Sequence, residues 1–449
     1  MGRLFGTDGV RGIANKELTP ELAFEIGKAG AYVLSGEIHH KPKIIVGKDT
    51  RLSCDMLEAA LVAGFCSVGA EVELAGVVPT PAVAYLVRLY GADAGVVISA
   101  SHNPYEFNGI KYFNNKGFKL SDEIEARIEA ILLDKAEQLP LAQMNMIGKT
   151  KYMENAASDY EEFLKSTIDV DLNGLNLALD CSNGAASKIA PELFKKLGAN
   201  VSVINNNPNG ININLNCGST HMDGLKKYVI ENKCDLGLAF DGDADRVLVV
   251  DENGETVDGD KIMSICGKYL KQVGKLKGDA IVATVMSNLG FDIFAKESGI
   301  NLVKAKVGDR YVLEQMLEHG YSIGGEQSGH VIFLDHNTTG DGMLTALQLL
   351  SVLKHTGQKL SKAASIMQYY PQVLINAKVK NENKHQYLND SIIASMVANI
   401  ESEFKDEGRV LIRPSGTEPL VRVMIEGKDI EYIEQRAKEL ATLIEERLN

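Results

Sequence analysis

The feature that most constrains this 449-residue chain is a unit that recurs three times along it. Each copy opens with an apolar run passing into a polar turn: IIVGKDTR (44–51), LALDCSNG (177–184) and AIVATVMSNLG (280–290). An amphipathic helical stretch, a glycine-containing stop and a second strand follow, as GAEVEL (69–74), GANVSV (198–203) and GINLVK (299–304). A loop, a second helix and a third strand complete the copy, the third strands being GVVIS (95–99), LGLAF (236–240) and YSIGG (321–325). Directly after each third strand stands a chemically loaded segment: ASHNP (100–104), DGDADR (241–246) and EQSGH (326–330).

Strand–helix alternation at this spacing predicts mixed sheets with helices on both faces and ligand loops beyond the carboxyl ends of the strands. Three such units can bring their loaded loops to one cleft. After YYPQV (369–373) the pattern changes to strand VLINAKVK, a long helix through about 385–404, strand RVLIR, a turn PSGTEP, strand LVRVMIEG and a closing helix from Asp429. The expected fold class is α/β: three similar mixed-sheet α/β domains plus a smaller C-terminal α+β domain around a central cleft. The boundaries read as 1–150 with ASHNP, 151–255 with DGDADR, 256–368 with EQSGH, and 369–449 with PSGTEP. A chain of this length exceeds what one core usually serves.

With 60 acidic against 47 basic residues and a net charge of −13, the chain is not expected to bind nucleic acid, and any anion must be met by local basic loops. The six cysteines are scattered without a C-x-x-C pair and read as free, buried thiols in a reducing compartment. No run approaches the ~18 apolar residues of a membrane span, and MGRLFGTDGVRG does not follow the signal-peptide pattern. A cytoplasmic protein with no membrane partner is expected, and the sequence is compatible with a homodimer.

DGDADR sets Asp241, Asp243 and Asp245 at alternate positions after a strand. Three carboxylates this close repel unless a divalent cation sits between them, and all-oxygen ligation suits Mg²⁺ or Ca²⁺ rather than zinc. A calcium loop of the EF-hand type would place Glu252 at its twelfth position, but Arg246 stands where glycine is needed and the flanks are strands. An acidic hairpin turn is the plainer alternative.

ASHNP offers Ser101 as a nucleophile, with His102 beside it, on a turn fixed by Pro104; alone, these residues also make an ordinary turn. Ser101 occupies in repeat one the place the aspartates occupy in repeat two, so both loops can meet at one metal. There a phosphoryl group on the serine would complete the coordination. Lys111 is then a candidate for proton transfer or for steadying the transferring charge. Glu326 and Ser328 lie on a glycine-rich turn suited to sugar hydroxyls or an amine, whereas His330 reads as a satisfied core histidine. RPSGTEP gathers Arg413, Ser415, Gly416 and Thr417 in one turn, with Arg422 on the next strand, either as an anion cradle or as a plain hairpin. A Walker loop is absent, so phosphate without nucleotide is expected.

The segments ISASHNP, DGDADR, GEQSGH and RPSGTEP, in this order, resemble the α-D-phosphohexomutase superfamily over nearly the whole chain. FGTDGVRG, ISASHNPYEFNGIK, VGDRYV (307–312) and Gln327, where glucose and mannose mutases tend to carry methionine, are most similar to its bacterial branch acting on glucosamine phosphate. The resemblance implies a phosphoserine at Ser101 and Mg²⁺ held by Ser101, Asp241, Asp243 and Asp245. It implies that Glu326 and Ser328 read the sugar and that Arg413, Ser415 and Thr417 hold the phosphate not being transferred. Arg11, His102, Lys111, Arg246 and Arg310 would line the same cleft, with a mobile fourth domain as its gate. The implied activity is an intramolecular phosphotransfer between glucosamine 6-phosphate and glucosamine 1-phosphate, with a sugar 1,6-bisphosphate as intermediate and primer, towards UDP-N-acetylglucosamine and the cell wall. A glucose or mannose phosphate mutase, a metal-dependent phosphatase and a non-catalytic sugar-phosphate sensor are the rivals.

Overall fold

The computed structural model describes residues 3–6, 8–35, 40–404, 407–415 and 418–449. They fall into two compact units, one of Met1–Met286 and Ile300–Ile366, the other of Ser287–Gly299 and Met367–Asn449.

In the first unit each sequence repeat forms its own sheet. The first contains β1 (Val10–Ile13), β2 (Lys43–Lys48), β3 (Glu71–Val77), β4 (Ala94–Ile98), β5 (Phe107–Asn114) and β6 (Thr150–Tyr152), in the order β1-β5-β4-β2-β3-β6. The second contains β7 (Asn176–Asp180), β8 (Asn200–Ile204), β9 (Leu236–Phe240), β10 (Val247–Asp251) and β11 (Thr256–Val257), ordered β11-β10-β9-β7-β8. The third contains β12 (Ala280–Thr284), β13 (Asn301–Ala305), β14 (Ile323–Gly325) and β15 (Val331–Phe333), ordered β13-β12-β14-β15. The shared kernel is a parallel trio with the first strand in the middle. Middle strands β7 and β12, and third strands β4 and β9, read as near-continuous apolar runs because helices cover both faces. Strands β8 and β13 lie at sheet edges and are only half-buried.

A return strand unread in repeats one and three completes the pattern. Each third strand pairs antiparallel with the strand after its loaded segment: β4 with β5, β9 with β10, β14 with β15. Each loaded loop is thereby pinned at both ends to one sheet. The end of each first strand is also built alike: the side chains of Asp49, Asp180 and Thr284 accept from the backbone N–H two residues on, at 2.9, 2.9 and 3.2 Å.

The second unit is a three-stranded antiparallel sheet, β16 (Gln372–Lys378), β17 (Gly408–Pro414) and β18 (Leu420–Gly427) in the order β16-β18-β17, with helices Ser391–Phe404 and Ile430–Leu448. Asn288 holds the incoming segment to this unit, donating to Tyr370 O at 2.9 Å while accepting from Tyr370 N at 3.0 Å. The helix expected through 385–404 starts later, at Ser391, after a short 3-10 turn over Gln386–Asn389. Asp390 is the cause: its carboxylate accepts from the N–H groups of Ile392 and Ile393, at 3.0 and 3.1 Å, and so caps the helix there. All six cysteines are free, and Cys66 departs from the expectation in being only half-buried. Among the described residues no helix is long and apolar enough to cross a membrane.

The N-terminal segment that carries Asp8 and Arg11 is held by Glu129, on the helix Asp122–Asp134. Its carboxylate accepts from the backbone N–H groups of Arg3, Leu4 and Phe5, at 3.0, 2.6 and 2.7 Å. Burial pushes this carboxyl's pKa up, but the three N–H groups outweigh burial and hold it below the usual glutamate value. A depressed native pKa stabilises the fold above the unfolded-state value of about 4.3, and that contribution is lost as pH falls through the native value. Glu129→Gln should therefore cost about 1–2 kcal/mol at pH 7 in urea unfolding, with a deficit that is constant down to about pH 5 and shrinks below about pH 4.3.

Candidate active site

The loops of all three repeats supply one buried cluster. Asp241, Asp243 and Asp245 offer carboxylate oxygens that all lie within 4.8 Å of one another, and all three residues are buried. The alternate spacing aims them to one side because the segment turns tightly, with Ala244 at φ +54° and its N–H donating to Asp241 O at 3.1 Å. Gly242 is required where it stands: a Cβ there would come within 2.5 Å of Ser101 O. Ser101, fully buried, donates from Oγ to Asp241 Oδ2 at 2.7 Å, so the first and second loops do meet.

Protein donors engage one side of this cluster. Asp243 Oδ2 accepts from Thr80 Oγ1 at 2.6 Å and from Lys111 Nζ at 2.8 Å. Asp245 Oδ2 lies 3.8 Å from Lys111 Nζ and 3.5 Å from His330 Nδ1. Asp243 Oδ1 and Asp245 Oδ1, in contrast, are buried without a hydrogen-bond partner. Two orphaned carboxylate oxygens beside a third carboxylate and a serine hydroxyl form an all-oxygen donor set that fits a hard divalent cation. Burial, followed by the charges of Asp245 and Asp243, pushes the Asp241 pKa well up. Burial pushes Asp245 up too, but Lys111, His330 and Arg246 outweigh it and hold that carboxyl ionised.

A second pair of orphans lies beside the first. Arg11 Nε and Arg246 Nε are both buried without a hydrogen-bond partner, although each guanidinium is placed by another contact. Arg11, on β1, donates to Asp8, while Arg246 donates from a terminal nitrogen to His102 Nδ1 at 3.1 Å. Burial and then the charges of Arg246 and Arg11 push the His102 pKa down to about 4, so its ring is neutral at pH 7.

The structure adds residues that the sequence reading passed over. Asp8 lies 2.8 Å from Lys111 Nζ and also accepts from Lys119, whose ammonium lies 2.5 Å from Asp309. His330 is not an idle core residue. Its Nδ1 lies 3.5 Å from Asp245 Oδ2 and its Nε2 3.5 Å from Asp309 Oδ2; burial pushes its pKa down, but these two carboxylates outweigh burial and raise it. No side chain fits at Gly340, where a Cβ would sit 2.5 Å from that ring. Asp8, Asp309 and His330 lie in FGTDGVRG, VGDRYV and GEQSGH, but nothing within those segments assigns them this role; tertiary contacts bring them together with Lys119.

Other expected site residues stand apart from the aspartates. Glu326 is half-buried and accepts from Gly308 N–H at 3.1 Å, and Ser328 is exposed on the same turn. Arg310 does not reach the cluster, since its guanidinium is engaged by Asp122 and, at 3.1 Å, by Glu314. In the second unit Arg413 and Arg422 are directly opposed on β17 and β18, an arrangement of like charges that favours an anion between them. Burial and the Arg422 charge push the Arg413 pKa down. Ser415 is buried and accepts from Glu418 N–H at 3.2 Å, whereas Gly416 and Thr417 lie outside the described residues.

Replacing either orphan-bearing carboxylate tests the cation site directly. Asp243→Asn and Asp245→Asn should each weaken Mn²⁺ binding, followed by electron paramagnetic resonance, by about tenfold or more. Unchanged affinity in both would exclude the cluster as a cation site.

Comparison with known proteins agrees along the whole chain. Four family profiles match in order: phosphoglucomutase/phosphomannomutase alpha/beta/alpha domain I at residues 2–139, domain II at 151–254, domain III at 258–370, and the C-terminal domain at 374–443. The phosphoglucosamine mutase of Acetivibrio thermocellus is 66% identical over 448 residues, and that of Ruminiclostridium cellulolyticum 64% over 449, each match covering 100% of both chains. Among solved structures, a phosphoglucomutase/phosphomannomutase family protein from Burkholderia thailandensis superposes with a TM-score of 0.81 at 23% identity, covering 98% of this chain and 97% of that one. Aspergillus fumigatus N-acetylphosphoglucosamine mutase, in complex with GlcNAc-6P and magnesium, gives 0.64 at 17% identity over 96% and 100%. At those identities the solved structures speak for the fold alone, but the full-length relatives go further: this chain belongs to the phosphoglucosamine mutase family, within the phosphoglucomutase/phosphomannomutase group.

Proposed function

We propose that this protein interconverts glucosamine 6-phosphate and glucosamine 1-phosphate through a phosphorylated Ser101 and an enzyme-held 1,6-bisphosphate. The observation that carries this reading is the double set of orphans around Ser101. Asp243 Oδ1 and Asp245 Oδ1 are buried without a hydrogen-bond partner, as are Arg11 Nε and Arg246 Nε; although Asp245 Oδ1 and Arg246 Nε lie 3.8 Å apart, a divalent cation beside a serine-borne phosphoryl group would answer all four. The amino sugar is supported by the names of the full-length relatives. Free thiols and the absence of a spanning helix among the described residues accord with a cytoplasmic site of action.

The chain's own residues supply the rest of the chemistry. In the first transfer the Ser101 Oγ–P bond breaks and a P–O bond forms to one sugar hydroxyl. The proton leaving that hydroxyl is balanced by one taken up at Ser101 Oγ, whose hydroxyl then donates to Asp241. The second transfer reverses these steps from the other phosphate. Asp241, Asp243, Asp245 and an oxygen on Ser101 would hold Mg²⁺, which would supply charge neutralisation at the transferring group. Lys111, whose ammonium lies 2.8 Å from both Asp243 and Asp8, is assigned to steady the transferring charge. Arg11 and Arg246 steady the phosphoryl oxygens, and neutral His102 orients Arg246. Glu326 and Ser328 are assigned to the sugar, and Arg413, Ser415, Gly416, Thr417 and Arg422 to the phosphate that is not being transferred.

The test is turnover by the phosphorylated protein with Mg²⁺ and a trace of bisphosphate, following the 6- and 1-isomers by phosphorus NMR. Glucosamine phosphate should turn over faster than glucose or mannose phosphate. A preference for glucose or mannose phosphate overturns the sugar assignment, and release of inorganic phosphate overturns the mutase reading. Ser101→Ala should lose turnover by a factor of about 10⁴ or more while still binding sugar phosphate in calorimetry.

A further inference from the structure

Ser101 stands in the left-handed backbone region at φ +52°, a conformation that serine rarely adopts and that its surroundings must therefore enforce. We propose that Arg51 is the positioning residue that enforces it, with Asn214 as its counterpart from the second repeat. The proposal deepens the reading of Ser101 as the phosphoryl carrier and rests on it.

Arg51 follows the first strand of repeat one, and its guanidinium is buried with every nitrogen engaged. Nε donates to Asp49 Oδ2 at 2.8 Å. One terminal nitrogen donates to Pro104 O at 2.5 Å and Phe107 O at 3.1 Å, the other to Ser101 O at 2.8 Å and Asn103 O at 2.9 Å. A single planar fork thus gathers four backbone carbonyls of the serine loop, a task that suits arginine and that the compact ammonium of lysine cannot perform. Asn214 approaches from the second sheet, its Nδ2 donating to Ser101 O at 2.9 Å and Asn103 O at 3.0 Å. The loop's own amide is tied to the same anchor: Ser101 N donates to Ser99 Oγ at 2.9 Å, and Ser99 Oγ donates to Asp49 Oδ2 at 2.6 Å.

With its carbonyl held by Arg51 and Asn214, Ser101 presents its hydroxyl to Asp241, 2.7 Å away. Neither Arg51 nor Asn214 touches the reacting atoms; both act through the serine backbone. Their loss should therefore slow phosphoryl transfer while leaving recognition of the sugar phosphate in place, since a misplacement of about 1 Å at the reacting group costs about 100-fold in rate.

The experiment is steady-state kinetics on the full-length, Mg²⁺-loaded protein, with the wild type assayed on glucosamine, glucose and mannose phosphates and each variant then assayed on whichever sugar the wild type prefers. Arg51→Lys should lower kcat by about 100-fold and Asn214→Ala by about tenfold, with KM within about threefold of wild type in both. Free guanidinium ion added to Arg51→Ala should restore part of the lost kcat and leave the wild type unaffected. Wild-type kcat in both Arg51→Lys and Asn214→Ala, or losses confined to KM, would overturn the proposal. If the Arg51 variants lose their far-ultraviolet circular dichroism, Asn214→Ala decides alone. Absence of turnover in the wild type on every sugar would instead overturn the assignment of the phosphoryl carrier, so the two failures are distinguishable.

Discussion

Three aspartates cannot be buried within reach of one another unless their charge is answered, and much of the first unit can be read as that answer. Lys111 lies between Asp8 and the Asp243–Asp245 pair, Lys119 between Asp8 and Asp309, and the His330 ring between Asp245 and Asp309. Acids and bases thus alternate around a closed ring to which all three repeats contribute. Such a ring leaves few charges unpaired, and its members depend on one another: removing any one leaves each of its two neighbours buried with one partner fewer, which is costly away from water. The ring exempts only the oxygens on the far side of Asp243 and Asp245. Those oxygens are buried without a hydrogen-bond partner, with Arg246 Nε 3.8 Å from the one on Asp245, so they are the donors left to a ligand.

The sequence made the plan of the fold legible because period and punctuation repeat. Three copies of one strand–helix pattern, each ending in a polar segment, permit little besides three mixed sheets with functional loops at one end of each. The aspartates and Ser101 were legible for the same reason, as residue types too costly to cluster without a purpose. Asp8, Thr80, Lys119, Asn214, Asp309 and His330 were not. Each gains its meaning only through a partner on a distant element, such as Thr80 with Asp243, 163 residues away, or Asn214 with Ser101, 113 away. His330 misleads most, since one buried histidine just ahead of an apolar strand is in most proteins a filler of space. The late start of the helix at Ser391 is a more local miss: the apolar period runs through from 385, and only the carboxylate of Asp390, placed to accept two N–H groups, decides where it begins.

The backbone of Ser101 illustrates how catalysis and folding share one set of contacts. A left-handed serine is unfavourable by itself, and nothing in ASHNP compels it. The conformation is imposed from outside, by a guanidinium at the end of a neighbouring strand and an amide from another sheet. Local sequence preference loses here to tertiary contact, as it commonly does where a reactive side chain must be held in one orientation.

The return strands carry a consequence for how such a protein can change over time. Held at both ends by hydrogen-bonded neighbours, the loaded loops stay short, running over 99–106, 241–246 and 326–330. The crossover connections are free of that restriction, since they run over the surface between a helix and the next strand. Length variation among descendants of the ancestral unit should therefore collect in the crossovers, and the unequal spacing of the three copies fits that expectation. The reactive segments, by contrast, differ little in length and much in residue type, so that a serine loop, an aspartate loop and a sugar loop could diverge in chemistry on one shared frame.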